Sequence, residues 1–250
     1  MSDIDPKDQE TSFVSHLVEL RTRLIHSLIG LLAIFLPLAP FANDIYSLIA
    51  QPLLIHMPEG TSMVAIEVIS PFLTPLKLTL MLSVFISIPW IFYQAWLFIS
   101  PGLYKHEQRI ASPLISVATV LFYTGMLFAY WVVMPLIFKF LTATAPEGVA
   151  VMTDISKYLD FILTLFFAFG MAFQVPIATF LLVKTGVSTP QSLAEKRPYI
   201  IVGAFVVGML LTPPDIISQT LLALPMWLLF EIGLFMSRKI ILQTTKETSP

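Results

Sequence analysis

Two acidic residues, each flanked by basic neighbours, carry the clearest potential for chemistry in this chain. Glu19 lies in the run HLVELR at residues 16–21, and Glu107 ends the run YKHE at residues 104–107. A carboxylate suits a guanidinium ligand, because the planar fork of arginine donates two parallel hydrogen bonds to it. The two acids therefore form either a binding site for a cationic ligand or a local balance of charge on a solvated face.

A third polar residue, Gln174, lies within an apolar stretch beside Pro176. A polar side chain at membrane depth is costly unless it is paired, so it should face the protein interior or a cavity. One interpretation is structural: the amide bonds the carbonyl of Ala172 or another backbone group that Pro176 loosens. The other interpretation is functional. Both stay open at this point.

Other catalytic and metal-binding chemistry is not indicated. The chain has no cysteine and no glycine-rich nucleotide loop, and its four histidines lack metal-ligand spacing. The apolar stretches contain no Ser/His or Glu/His pair and no paired charges. We therefore expect no enzyme activity, no cofactor and no metal. Energy for any transport must come from ATP on a partner or from an ion gradient.

The amino-acid composition indicates that most of the protein surface contacts lipid. Hydrophobic residues make up 56% of the 250-residue chain and charged residues only 12%, about half the usual ~25% for soluble domains. The net charge of −2 argues against nucleic-acid binding. We predict an all-α polytopic membrane protein of six spanning helices. Its apolar segments are residues 24–41, 78–99, 113–138, 161–183, 199–212 and 216–237.

The basic residues predict the orientation of these helices. Eleven of the fourteen Lys and Arg lie in the two tails and in alternate gaps between the segments. That asymmetry places both termini in the cytoplasm, with residues 43–75 and 140–157 outside. We predict one membrane domain over 1–250, with a cytoplasmic tail at 1–23, a six-helix bundle at 24–237 and a second tail at 238–250. No cleaved signal is expected, because the first 23 residues are polar.

Local patterns add detail to this plan. Residues 1–10 are predicted to be a disordered acidic tail. Residues 11–24 carry an amphipathic stripe, which is either an interfacial helix or the polar start of helix 1. In residues 43–75, Asn43 and Asp44 could cap a short surface helix before several prolines.

Prolines within the predicted second, fourth and sixth helices indicate kinks. The fifth segment has fourteen residues, which span only ~21 Å as a helix against a hydrocarbon core of ~30 Å. Helices 5 and 6 are therefore predicted to be short. They thin the bilayer locally, or flanking side chains such as Tyr199 make up the length by snorkelling.

Five motifs run in order from helix 1 to helix 6: HLVELRTR at 16–23, SPF at 70–72, FISPGLYKHE at 98–107, KRPY at 196–199 and GAFVVGMLLTPPD at 203–215. Together they resemble the motifs of the TatC family, the multispanning receptor subunits of the twin-arginine protein translocase. The resemblance covers the whole chain except its two tails. It implies a concave, cup-like bundle, in agreement with the short fifth helix.

The resemblance implies a function that composition cannot give. Family members bind signal peptides with consecutive arginines on folded cargo, recruit single-span TatA and TatB partners into an oligomeric complex, and use the proton-motive force. They lie in the bacterial inner membrane. By the same resemblance, Glu19 and Glu107 contact the arginine pair, and the further functional positions are Arg21, Pro52, Phe98 and Leu103. The partner-helix contact region would contain Gln174, Met209, Thr212 and Gln219.

One position departs from the family pattern. Many members carry Glu where this chain has Gln174, and Gln can hydrogen-bond but cannot titrate. The main rival to this function is a secondary transporter of small molecules. It is disfavoured because paired charges and an internal repeat are not evident. A membrane enzyme is a second rival, disfavoured by the lack of a catalytic constellation.

Overall fold

The computed structural model describes residues 6–55, 63–64, 66–99, 111–137, 153–211 and 216–247. Within these ranges nearly every residue is helical. The chain folds as two compact units, which we describe separately: Met1–Met57 with Pro71–Thr119, and Pro58–Ser70 with Val120–Pro250.

The first unit is built on two long helices. α1 spans Pro6–Leu38, and after a 3₁₀ turn at Ala39–Phe41, α2 spans Ala42–Ile55. α3 spans Ser70–Ile99 and continues the unit from Pro71 onward. The amphipathic stripe at 11–24 is thus the start of helix 1. The predicted disordered tail is wrong for residues 6–10, which form the first turns of α1.

α3 begins eight residues before the apolar segment predicted at 78–99. Residues 43–75, which include Pro71 and Pro75, were predicted to lie outside the membrane and not in a spanning helix. Proline is tolerated in the first turn of a helix, where its missing N–H has no intrahelical partner. Pro71 is the second residue of α3, so it opens the helix rather than preventing it.

The second unit contains the remaining helices. α4 spans Ala111–Phe128 and continues as a π-helical turn at Ala129–Val133, and its residues from Val120 onward belong to this unit. α5 spans Ile155–Ala172, α6 Val175–Lys184, α7 Pro190–Glu195, α8 Arg197–Leu211 and α9 Ile216–Glu247. The short helix α7 was not predicted.

Asp154 caps α5 through its side chain, which accepts a hydrogen bond from the Ser156 backbone N–H at 2.9 Å. With this cap, α5 begins six residues before the predicted apolar segment. Two short strands, β1 (Met63–Val64) and β2 (Thr153–Asp154), pair in parallel within this unit. They join the two segments predicted to lie outside.

Among the described residues, four stretches are long and apolar enough to cross a membrane: Ser15–Leu48, Ser70–Ile99, Pro113–Ile137 and Ile155–Lys184. α8 is a shorter apolar helix of 15 residues, as predicted for helix 5. The prediction of a short sixth helix is wrong, because α9 has 32 residues. Its polar end beyond residue 237 carries Arg, Lys, Gln and Glu, which favour helix.

Many large apolar side chains on these helices are exposed. On α1, Leu24, Leu28 and Leu36 are 60%, 54% and 65% exposed. An exposed apolar surface of this extent would be unfavourable in water. It is the surface expected for helices that contact the hydrocarbon of a membrane. The chain is therefore an all-α polytopic membrane protein, as predicted from its composition.

Candidate functional site

In the first unit, α1 and α3 contact each other at two levels. Near the start of α1, the His16 ring stacks on Phe98, with ring centroids 4.4 Å apart and an interplanar angle of 26°. Further along, the Trp90 indole N–H donates to the backbone carbonyl of His26 at 3.0 Å. Gly30 faces the same indole, and a Cβ at that position would clash with it. The two helices therefore run antiparallel along a shared seam.

Glu19 lies on this seam. Residues 16, 19, 23, 26 and 30 follow spacings of three and four, so they share one face of α1. Glu19 Oε1 accepts a hydrogen bond from Arg23 Nη2 at 3.4 Å, and both side chains are about one-third exposed, at 30% and 29%. The carboxylate is thus held by a long contact within its own helix.

The facing stripe on α3 consists of Trp90, Gln94 and Phe98, at spacings of four. Trp90 and Phe98 contact α1, so Gln94 lies between the two contacts. Its side chain is only 3% exposed, and its Oε1 atom has no hydrogen-bond partner among the residues that the structure describes. Within the same residues, Arg23 Nε is likewise buried without a partner. Sequence reasoning missed His16, Arg23 and Gln94.

The remaining predicted binding residues are placed only in part. Arg21 is exposed on α1, and Pro52 lies within α2. Glu107 and Leu103 lie outside the described residues, so the convergence of Glu19 and Glu107 stays a prediction. α3 ends at Ile99. The His16–Phe98 stack therefore holds the last turn of α3 against α1.

In the second unit, Gln174 lies at the break between α5 and α6. Its backbone N–H bonds the Met171 carbonyl at 3.0 Å instead of Gly170, and its side-chain Nε2 donates to the Gly170 carbonyl at 3.3 Å. The side chain thus replaces a backbone hydrogen bond at a helix break beside Pro176, although the carbonyl is that of Gly170 and not of Ala172. The kink predicted at Pro176 is confirmed as this break.

Three helices of the second unit meet around a cluster of small buried residues: Ala172, Ala204 and Ala223, with Met226. Gly208 lets α8 approach α9 closely, since a Cβ there would lie 3.3 Å from the Gln219 carbonyl oxygen. Met209 follows Gly208 and is 52% exposed, and Gln219 is half-buried. Thr212 lies outside the described residues. Met209 and Gln219 thus belong to one close-packed helix pair.

An ion pair joins the same two helices at their other end. Arg197 Nε and Nη2 donate to Glu231 Oε1 and Oε2 at 2.5 and 2.8 Å, a bidentate arrangement. Sequence reasoning did not single out Glu231, which lies inside the sixth apolar segment, whereas Arg197 lies two residues before the fifth. The two residues are 34 positions apart, and only tertiary folding brings them together.

The sequence profile of the family described as Sec-independent protein translocase protein (TatC) matches residues 15–225 of this chain. The chain belongs to the TatC family. The family predicted from the sequence motifs is thus confirmed. The matched region includes the contacts between α1 and α3, and it includes Gly208 and Gln219 of the α8–α9 pair.

Relatives support the same assignment. The TatC proteins of Azotobacter chroococcum and Escherichia coli K12 are 58% and 57% identical to this chain over 233 and 225 residues. These alignments cover 93% and 90% of this chain, and 91% and 87% of the relatives. The TatC protein of Aquifex aeolicus is 39% identical over 225 residues, covering 89% of this chain and 93% of the relative.

Two crystal structures of the twin-arginine translocase receptor TatC, one of them in DDM, have similar folds. Their TM-scores are 0.79 and 0.80, both at 39% identity and 89% coverage of this chain. They are covered over 98% and 99% of their own lengths. The TatC fold accounts for essentially the whole membrane portion of this chain, and the protein belongs to a translocase family rather than to a family of classical enzymes.

Proposed function

We propose that this chain is the signal-peptide receptor and core subunit of a twin-arginine translocase, which exports folded proteins across the cytoplasmic membrane using the proton-motive force. The observation that carries the proposal is the His16–Phe98 stack. It joins the helix that bears Glu19 to the end of the helix that leads to Glu107. Two carboxylates separated by 88 positions in the sequence can thereby serve one ligand.

In this proposal each of the two carboxylates binds one arginine of the pair. Glu19 is partly exposed, and within the described ranges its ion-pair partner is Arg23, at 3.4 Å. An incoming guanidinium with a bidentate fork can therefore displace that contact. Glu107 takes the second arginine. Arg21, Pro52, Phe98 and Leu103 surround the peptide backbone and its apolar side chains.

The partner-helix site is proposed on the second unit, at Gln174, Met209, Thr212 and Gln219. The exposed face of α8 supports it: Val202, Met209 and Leu210 are 62%, 52% and 76% exposed on a helix of only 15 residues. An apolar single-span helix of a TatA- or TatB-type protein would cover this face. Gln174 would act there by hydrogen bonding, since it cannot titrate.

We also propose that the chain lies in the inner membrane as one domain, with both termini in the cytoplasm. The distribution of basic residues supports this topology. The β1–β2 pairing adds support, because Val64 pairs with Asp154 and the two segments must share one side. Single cysteines at 64 and 154, in this naturally cysteine-free chain, should both react with a reagent added outside. Labelling of either one only from the cytoplasm would contradict the topology.

The experiment that tests the receptor proposal compares two peptides on the full-length protein in nanodiscs. A signal peptide with two arginines should bind, and the same peptide with two lysines should bind less well. Lysine keeps the charge but loses the planar fork. Copurification of single-span partners from native membranes tests the second site. Equal binding of both peptides would contradict recognition by paired carboxylates.

A further inference from the structure

We propose that Arg23 exchanges partners when the peptide binds, leaving Glu19 and turning to Gln94, so that Gln94 controls access to the first arginine site. This inference rests on the proposed function and deepens it. It concerns the polar layer in the middle of the α1–α3 seam, which is defined by Glu19, Arg23 and Gln94.

The layer contains one unsatisfied donor and one unsatisfied acceptor. Arg23 Nε and Gln94 Oε1 are both buried, and neither has a hydrogen-bond partner in the described part of the chain. A buried polar group that lacks a partner is costly and is rare in folded proteins. Here the two orphaned atoms are complementary, because one is an N–H and the other an amide carbonyl oxygen. Either would satisfy the other.

The two residues also lie at the same level of the seam. Contacts above and below are fixed by the His16–Phe98 stack and by the packing of Trp90 on Gly30. Arg23 lies midway between His16 and Gly30, and Gln94 lies midway between Trp90 and Phe98. Packed helix axes are typically about 8–10 Å apart, a gap that an extended arginine side chain can cross.

The present partner of Arg23 is held weakly. Its contact with Glu19 is 3.4 Å, longer than the ~2.7–2.9 Å of a strong charge-assisted hydrogen bond. While Arg23 stays there, its charge opposes the approach of a second guanidinium to the same carboxylate. Rotation of Arg23 toward Gln94 removes that opposition and satisfies both orphaned atoms. The peptide arginine then takes Glu19, and the net number of charge pairs is unchanged.

The exchange predicts different effects on peptide binding from two substitutions of Gln94. Gln94→Leu keeps the size of the side chain but removes the acceptor, so Arg23 stays on Glu19. Binding of the twin-arginine peptide should weaken roughly ten-fold, which corresponds to the low end for a hydrogen bond to a charged group. Gln94→Glu gives Arg23 a stronger partner before the peptide arrives, so the peptide should bind at least as tightly as to wild type.

The decisive variant is the double substitution Gln94→Leu with Arg23→Met. Methionine retains an apolar stem that can fill the seam but cannot compete for Glu19, so peptide affinity should return to within about two-fold of wild type. The assay is equilibrium binding of a labelled twin-arginine peptide to each full-length variant in nanodiscs. Each variant is first checked for normal accumulation and thermal unfolding.

The outcomes separate this inference from the function on which it rests. If Glu19→Gln binds the peptide like wild type, the proposed receptor site is wrong. If Glu19→Gln loses binding but Gln94→Leu does not, only the exchange is wrong. The exchange is also overturned if Gln94→Leu weakens binding and Arg23→Met fails to restore it, since Gln94 would then act directly on the peptide or on the packing.

Discussion

The two units of this protein hold their helices together with different kinds of contact. In the first, the polar layer between α1 and α3 contains two buried atoms that lack partners among the described residues. In the second, α8 and α9 are joined by a bidentate ion pair, and glycines allow α9 to approach both α8 and α6 closely. The difference indicates that the first seam holds polar groups available for exchange, whereas the second is a fixed platform.

Gly233→Ala is the substitution expected to reduce the stability of the second unit most. A Cβ at this position of α9 would lie 2.7 Å from the Pro176 Cα atom, on backbone that cannot give way easily. Overpacking of this kind costs about 1–3 kcal/mol. Thermal unfolding of the detergent-solubilised protein should show a clear loss of stability.

Gly203→Ala is the matched control for that substitution. Gly203 also lies within a helix of the second unit, but a Cβ added there would meet no other atom within 4 Å. The alanine should be neutral or slightly stabilising, because it has the higher helix propensity. Equal losses at both positions would mean that close packing against Pro176 does not distinguish Gly233.

Substitutions in the Arg197–Glu231 ion pair should cause the next largest loss of stability. Arg197→Lys keeps the charge but loses one arm of the fork, whereas Glu231→Gln removes the charge on the other side. Because the side chains are 39% and 27% exposed, solvent screens the pair, and we expect Glu231→Gln to lower the unfolding temperature by less than Gly233→Ala does. Arg197→Lys should lower it by still less. Unfolding temperatures unchanged in both variants would show that the pair does not hold α8 against α9.

Substitution at the α1–α3 contact should reduce stability less than these changes in the second unit. Trp90→Phe removes the N–H that donates to the His26 carbonyl at 3.0 Å, while the ring remains over Gly30. One neutral hydrogen bond contributes about 1 kcal/mol. Thermal unfolding measures this cost, and a loss larger than that of Gly233→Ala would reverse the proposed ranking of the two units.

The smallest effect is expected at Gln174, because its side chain makes a long hydrogen bond, 3.3 Å, to Gly170. Gln174→Glu retains an acceptor and, when protonated, a donor, so export should continue. Gln174→Leu should weaken partner-helix binding by about 0.5–1 kcal/mol. Export and partner copurification measure this, and an unaffected Leu variant would limit Gln174 to filling space.

Helix ends were predicted correctly where the residues at the end itself, such as prolines, determine them. The short fifth helix ends before Pro213 and Pro214, and α8 is found over Arg197–Leu211. The break at Pro176 follows from a missing N–H. The start of α3 was misplaced because a proline fits the first turn of a helix as well as a loop, and only its neighbours decide between the two.

The candidate site was predicted less completely, for a physical reason. Glu19 and Gln174 were found because each is unusual in its own surroundings. Gln94 satisfies the same criterion as Gln174, a polar side chain in an apolar helix near a proline, and that pattern could have identified it. The Arg197–Glu231 pair and the roles of His16 and Arg23 depend on contacts between helices, which no local pattern contains.

The most direct test of the account is the affinity of a twin-arginine signal peptide for four full-length proteins in nanodiscs: wild type, Glu19→Gln, Glu107→Gln and Glu195→Gln. Glu195 is an exposed carboxylate in another gap that is predicted to be cytoplasmic. Loss of either recognition carboxylate should weaken binding by roughly 10- to 150-fold, and the Glu195 variant should bind like wild type. If the Glu19 and Glu107 variants accumulate normally and bind the peptide as tightly as wild type, these two carboxylates are not the arginine site.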